Sequence, residues 1–229
     1  MVQAEITRRR SLGRAYSGNS VFSSKLVCGD CGSFFGQKVW HSNDPYRKVI
    51  WRCNSKFKGE TKCGTPHLDT ETIQQKFLIA YNRLMTDRDS VISDCVSMQQ
   101  VLSNTSTLDA ELDSLNEEIT VVSELVKTCV RDNASTAQSQ DEYTKKYNGL
   151  LARYEKAMAR LAEVTAEKER KHDQNRELRL FIEELKKQPL VLEEWDERLW
   201  IAILDWATVF RDGRIAFKFK SGREIEVER

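Results

Sequence analysis

Four of the six cysteines fall within the 36 residues from Cys28 to Cys63, and the first two form a C-x2-C knuckle with Cys31. Thiolates at that spacing point at one place, and a second pair, Cys53 and Cys63, arriving from a following strand can close a tetrahedral site around zinc. Four protein ligands leave no position for water or substrate, so such a site is structural rather than catalytic. The second pair is C-x9-C rather than another knuckle, which leaves His41 and His67 as substitute ligands. Disulfides and reduced core thiols are the other readings of the same cysteines. With no secretory signal expected, reduced thiols and a metal are favoured.

The residues between the cysteines suit a small ribbon. Gly29, Gly32 and Gly36 allow tight turns, and Phe34, Phe35, Val39, Trp40, Val49, Ile50 and Trp51 supply β-prone apolar positions. A segment of this size buries too little surface to fold on hydrophobicity alone, so the metal would supply much of its folding free energy. Past the ribbon, Pro66 and Asp69 or Thr70 set a helix start, with Ile73, Phe77, Tyr81 and Leu84 on one face. Val91, Cys95, Met98 and Leu102 continue the stripe after a polar interruption at Thr86 to Ser90, and Cys95 reads as a small core residue.

With 229 residues, 40% hydrophobic and 31% charged, the chain has room for one or two domains. No apolar run approaches the ~20 residues of a membrane span, so no membrane role is expected. The net charge of +1 hides a polarity: residues 1–66 hold 12 Lys and Arg against 4 Asp and Glu. Residues 104–140 hold 7 acidic and 2 basic residues, and 141–188 hold 10 and 12. That asymmetry directs the N-terminal third towards a polyanion. Val2 to Arg10 reads as the tail of a helix ending in Arg8, Arg9 and Arg10. Ser11 to Ser24, with Arg14 inside it, has a linker composition suited to phosphates or a minor groove.

Leu108, Leu112, Leu115, Ile119, Val122, Val126 and Cys129 alternate steps of four and three, the seam of a coiled coil. Its length would be about 33 Å. After a polar break at Asp132 to Gln140, Ser139 and Glu142 are spaced as a capping box. Tyr143, Tyr147, Leu150, Tyr154, Met158, Leu161 and Thr165 then form a second stripe, running on to Leu178, Ile182 and Leu185 before Pro189. Two such helices of opposite charge predict an antiparallel hairpin within one chain, its tip near Ala134, Ser135, Thr136, Ala137, Gln138 and Ser139. Beyond Pro189, Trp195, Leu199, Ile203 and Leu204 predict a short helix. Three antiparallel strands follow, turning at Asp212-Gly213 and Ser221-Gly222 and covered by the Ile73 to Leu84 helix and the ribbon. The fold class expected is therefore α+β: a zinc β-ribbon and a small mixed helix and antiparallel-strand domain, with a long antiparallel coiled-coil hairpin inserted in it.

Leu26-Val27-Cys28-Gly29-Asp30-Cys31-Gly32, Trp51-Arg52-Cys53, Cys63, the coiled-coil insertion and Trp195 to Glu226 with Val209-Phe210-Arg211-Asp212-Gly213-Arg214-Ile215 resemble the C-terminal half of a large serine recombinase, or serine integrase. The resemblance covers nearly the whole chain. It implies residues 1–24 as the end of an upstream recombinase domain and a basic linker, and 25–103 as zinc ribbon and following helices. Residues 104–188 would be the coiled coil, and 189–229 the completion of the zinc-ribbon domain.

The implied role is binding to double-stranded DNA attachment sites and control of their synapsis during integration or excision of phage or mobile-element DNA. The family's catalytic serine domain has no counterpart here, so no catalytic residue and no enzymatic activity are assigned to this chain. Structural Zn2+ would sit on Cys28, Cys31, Cys53 and Cys63. DNA contacts would come from Arg8, Arg9, Arg10, Arg14, Lys38, Arg47, Lys48 and Arg52, and other subunits of the recombinase would meet the coiled-coil tip. The implied location is bacterial cytoplasm, at the nucleoid. A zinc and coiled-coil scaffold that binds only proteins is the competing reading, and the basic ribbon argues against it.

Overall fold

The computed structural model describes residues 20–58, 63–136 and 139–228. These form seven strands and five helices in two compact units, bounded as Met1–Val96 with Glu177–Arg229, and Ser97–Arg176. The division falls within two helices, α2 (Arg88–Ser103) and α4 (Gln140–Lys187).

The first unit holds two sheets. In one, β1 (Leu26–Cys28) lies parallel to β5 (Leu204–Val209), followed by antiparallel β6 (Ile215–Phe219) and β7 (Glu224–Val227). In the other, β2 (Phe35–Trp40), β3 (Lys48–Cys53) and the two-residue β4 (Leu68–Asp69) run antiparallel. Three C-terminal antiparallel strands were expected. A fourth, from the N-terminal end of the ribbon, pairs with them in parallel, with Val27 opposite Thr208.

Helix α1 (Thr70–Thr86) starts at Asp69, whose carboxylate accepts from the Thr72 amide at 2.8 Å, and buries Ile73, Phe77, Ala80, Tyr81, Leu84 and Met85. It stops at Asp87, one residue before α2, which resolves the interruption at Thr86 to Ser90 into a break. An aromatic cluster fills the core: the Phe77 ring lies 5.0 Å from Trp200 and 5.5 Å from Trp195, and Phe22 lies 5.1 Å from Trp200 and 5.4 Å from Trp51. Phe22, Ser23 and Ser24, the end of the predicted linker, are thus packed rather than solvated. Helix α5 (Glu197–Ile203), capped by Asp196, ends one residue early, because Leu204 already pairs with Phe219 in the sheet. The last turns of α4 bury Leu178, Phe181, Ile182 and Leu185.

The second unit is an antiparallel coiled coil of α3 (Ser106–Ser135) and α4. All seven seam residues of α3 are buried or half-buried, with Val122 and Cys129 closed to solvent. On α4 the seam passes through Ala157 and Val164, both buried, instead of Met158 and Thr165, which are exposed. Strict steps of four and three from Tyr143 reach Ala157 and Val164, whereas Met158 and Thr165 drift to the next column. Ion pairs join the acidic arm to the basic one: Glu118 with Arg153, Glu111 with Arg160 at 2.7 Å and Asp109 with Lys168 at 2.6 Å. Towards the far end of the seam from the tip, Asn175 donates to the Gln99 carbonyl at 3.1 Å and to the Ser103 hydroxyl at 2.8 Å. At the hairpin end, Asp132 to Ser135 continue α3 instead of forming a loop, and Thr136 is its extended cap. The Glu142 amide meets the Ser139 hydroxyl at 3.5 Å, one half of the capping box. Ala137 and Gln138 of the predicted tip lie outside the described residues.

Candidate metal centre and basic ribbon face

Cys28 ends β1, Cys31 follows it in the knuckle turn, Cys53 ends β3, and Cys63 precedes Gly64. The turn is closed by Gly32 donating to the Cys28 carbonyl and Cys28 donating to the Ser33 carbonyl, both at 2.9 Å. Gly32 takes φ 68°, a left-handed backbone that glycine adopts without strain. All four sulfurs lie within 4.8 Å of one another, with Cys28 to Cys63 at 3.1 Å and Cys31 to Cys53 at 3.4 Å. A tetrahedral zinc with sulfurs at about 2.3 Å spaces them about 3.8 Å apart, so this donor set fits that metal. Cys31 is exposed and the other three are buried. Burial pushes the Cys28 and Cys53 thiols up. At Cys31 burial acts in the same direction, but hydrogen bonds from the Ser33 amide and hydroxyl outweigh it and bring the thiol down to about 7.

The candidate substitute ligands stand elsewhere. His67 stacks on Trp40 with ring centres 4.5 Å apart, and His41 faces Asp44 at 3.9 Å. Cys95 and Cys129 are buried on helices, as core residues.

Three groups that sequence spacing did not single out line the cluster. The buried Thr65 hydroxyl lies 3.3 Å from Cys28 Sγ and 3.0 Å from Cys63 Sγ. Asp30 Oδ2 accepts from the Gly64 amide at 3.0 Å, and Arg211 donates to it from Nε at 3.1 Å and Nη2 at 3.0 Å. The knuckle was legible as a local pattern, but its contact with Arg211 crosses 181 residues, a distance over which no spacing signal exists.

The β2–β3 register sets Gly36 opposite Arg52, Lys38 opposite Ile50 and Trp40 opposite Lys48, so the pleat puts Lys38, Trp40, Lys48 and Arg52 on one face. Arg47, just before β3, is exposed. Lys48 is tied to Asp69 at 3.0 Å. Arg52 lies over the exposed Phe57 ring at 4.7 Å, and its buried Nε has no hydrogen-bond partner among the described residues. A groove beside them is lined by Lys38, Arg52, Asn54, Lys56, Phe57 and Lys58. Arg8, Arg9, Arg10 and Arg14 lie outside the described residues. No described helix is long and apolar enough to cross a membrane.

Residues 21–82 match the family model of the recombinase zinc beta ribbon domain. A crystal structure of an LSR–DNA complex is similar over 94% of this chain and 63% of its own, at 16% identity and a TM-score of 0.38. The chain thus spans under two thirds of that relative's length. No curated protein matches the chain. The four cysteines that cluster at the base of the β2–β3 hairpin all lie within this matched stretch, which is 62 of the 229 residues.

Proposed function

We propose that this chain is the DNA-binding and synapsis-controlling C-terminal module of a site-specific serine recombinase that integrates or excises phage or mobile-element DNA. The observation that carries the reading is the ribbon hairpin, which presents Lys38, Lys48 and Arg52 on one face, with Arg47 beside them, over the cluster of four cysteines. A two-stranded ribbon fits the major groove of B-DNA, and guanidinium and ammonium groups on its face reach base edges or phosphates. Zinc on Cys28, Cys31, Cys53 and Cys63 holds the hairpin rigid and takes no part in chemistry. Arg8, Arg9, Arg10 and Arg14 add phosphate or minor-groove contacts, and the tip from Ala134 to Ser139 meets other subunits, so that weak, reversible contacts decide which sites pair. Strand cleavage and rejoining belong to the catalytic domain of the parent recombinase.

A mobility-shift selection from random duplex pools, with and without chelator, tests the DNA reading. Retention of a defined sequence, lost on chelation, is expected; equal binding to every duplex at moderate salt overturns it. Arg52→Ala should cost ~1–3 kcal/mol at one base position if it reads a base, or lower the salt slope by about one if it meets phosphate. Deleting residues 111–162 should leave zinc content and single-site affinity unchanged and abolish the pairing of two sites in the parent enzyme. Loss of single-site binding in that deletion would remove the synapsis role.

A further inference from the structure

We propose that Arg211, on the turn between β5 and β6, is a positioning residue of the metal centre: through Asp30 it offsets the negative charge of the cysteine cluster and holds the Cys63 loop against the knuckle. The proposal rests on the zinc reading above.

Zinc bound to four thiolates carries a net charge of −2, and Asp30, inside the knuckle, brings a third negative charge to 3.8 Å from Cys63 Sγ. The carboxylate is nonetheless useful, because it accepts the Gly64 amide at 3.0 Å and so fixes the loop that carries the fourth ligand. Its presence beside an anionic centre requires a cation, and Arg211 supplies two N–H donors at 3.0 and 3.1 Å.

The packing is built for this contact. A side chain at Gly64 would meet Arg211 Nε at 2.6 Å, and one at Gly29 would meet Phe210 Cδ1 at 2.8 Å and the Val209 carbonyl at 3.1 Å. Gly29 also donates to the Val209 carbonyl at 2.8 Å. The backbone beside Cys28 and the backbone beside Cys63 therefore both sit on Val209 to Arg211, with the two glycines permitting the approach.

Arg211 is 71% exposed and Asp30 19%, so an isolated pair of this kind would contribute little. The effect should come instead from the charge of the loaded centre, and should fade as salt screens it.

The test uses the full chain, zinc content by elemental analysis and zinc affinity by chelator competition at low and high salt. One zinc in the wild-type chain secures the underlying reading; a wild-type chain without zinc removes that reading and this proposal with it. Arg211→Gln is expected to weaken zinc binding about tenfold at low salt, the lower end of what supporting groups contribute. Arg211→Lys should keep most of the affinity, and in an Asp30→Asn background Arg211→Gln should change little. A purely structural role would instead lower the melting temperature in saturating zinc. Wild-type affinity in Arg211→Gln at low salt, or an equal loss in the Asp30→Asn background, overturns the proposal while leaving the zinc site standing. Should Arg211→Gln fail to fold, Gly64→Ala, which pushes the guanidinium off Asp30, gives the same reading: about a tenfold loss supports the role and wild-type affinity overturns it.

Discussion

Cys28, Cys31, Cys53 and Cys63 tie down a unit whose sheet joins Leu26–Cys28 to Leu204–Val209, whereas α3 and α4 are held by a stripe that repeats along each helix. In the first unit four sulfur atoms converge on one point, and on the zinc reading the loss of one should be felt throughout the ribbon. In the second, stability is spread over many equivalent layers of the seam, so each layer is replaceable in proportion to what it buries. Point changes should therefore act all-or-none in one unit and by degrees in the other.

Cys53→Ser, or chelation, tests that contrast most severely. Zinc should be lost and the ribbon should unfold, seen as loss of near-ultraviolet dichroism from Trp51, Trp195 and Trp200, while far-ultraviolet helicity from the coiled coil persists. Retention of zinc and of the tryptophan signal in Cys53→Ser would break the comparison at its first term.

A middle-sized effect sharpens the second. Val164 is fully buried and Met158 is 41% exposed, so Val164→Ala should cost ~1–3 kcal/mol of helix melting and Met158→Ala no more than ~0.5. Thermal melts followed by helical dichroism read both, and equal costs would return the seam to Met158 and Thr165. Neither change should alter zinc content.

The smallest effect lies at the start of α1. Hydrogen bonds from the Thr72 side chain and amide, joined by the Lys48 ammonium, hold the Asp69 carboxyl down to about 2, below its unfolded value of ~3.9. A depressed folded value means the stabilisation is present above about pH 4 and is lost as pH falls through about 2. Asp69 is 30% exposed, so after screening the contribution is ~1 kcal/mol, close to that of a helix cap. Denaturant melts of Asp69→Ala should show that loss in full at pH 7 and only a small remainder of it at pH 2.

What could be read from the sequence follows the same division. The knuckle, the α3 seam and the Asp212-Gly213 turn are local patterns, and each stands where its spacing puts it. On α4 the phase slipped because Ala157 is small and carries little hydrophobic signal, while Met158 beside it carries much. Strand β1 has three residues and β4 has two, too few for any period to show. Their partners are chosen by tertiary packing, and so are Arg211 beside Asp30 and Thr65 beside the sulfurs. The four cysteines that cluster were therefore visible in the sequence, and what surrounds them was not.

The parallel pairing of β1 with β5 also sets an order of events during synthesis. Lys25, just before β1, donates from its buried ammonium to the Leu204 carbonyl 179 residues later. At ~5–20 residues per second, about 10–35 s pass between the appearance of the two partners. The knuckle thiols emerge early and wait, open to metal or to oxidant, while the helices of the insertion are made and pair. β1 finds its partner strand only once Leu204–Val209 has been made, so a ribosome that stalls short of Leu204 leaves Cys28 without the strand that pairs beside it.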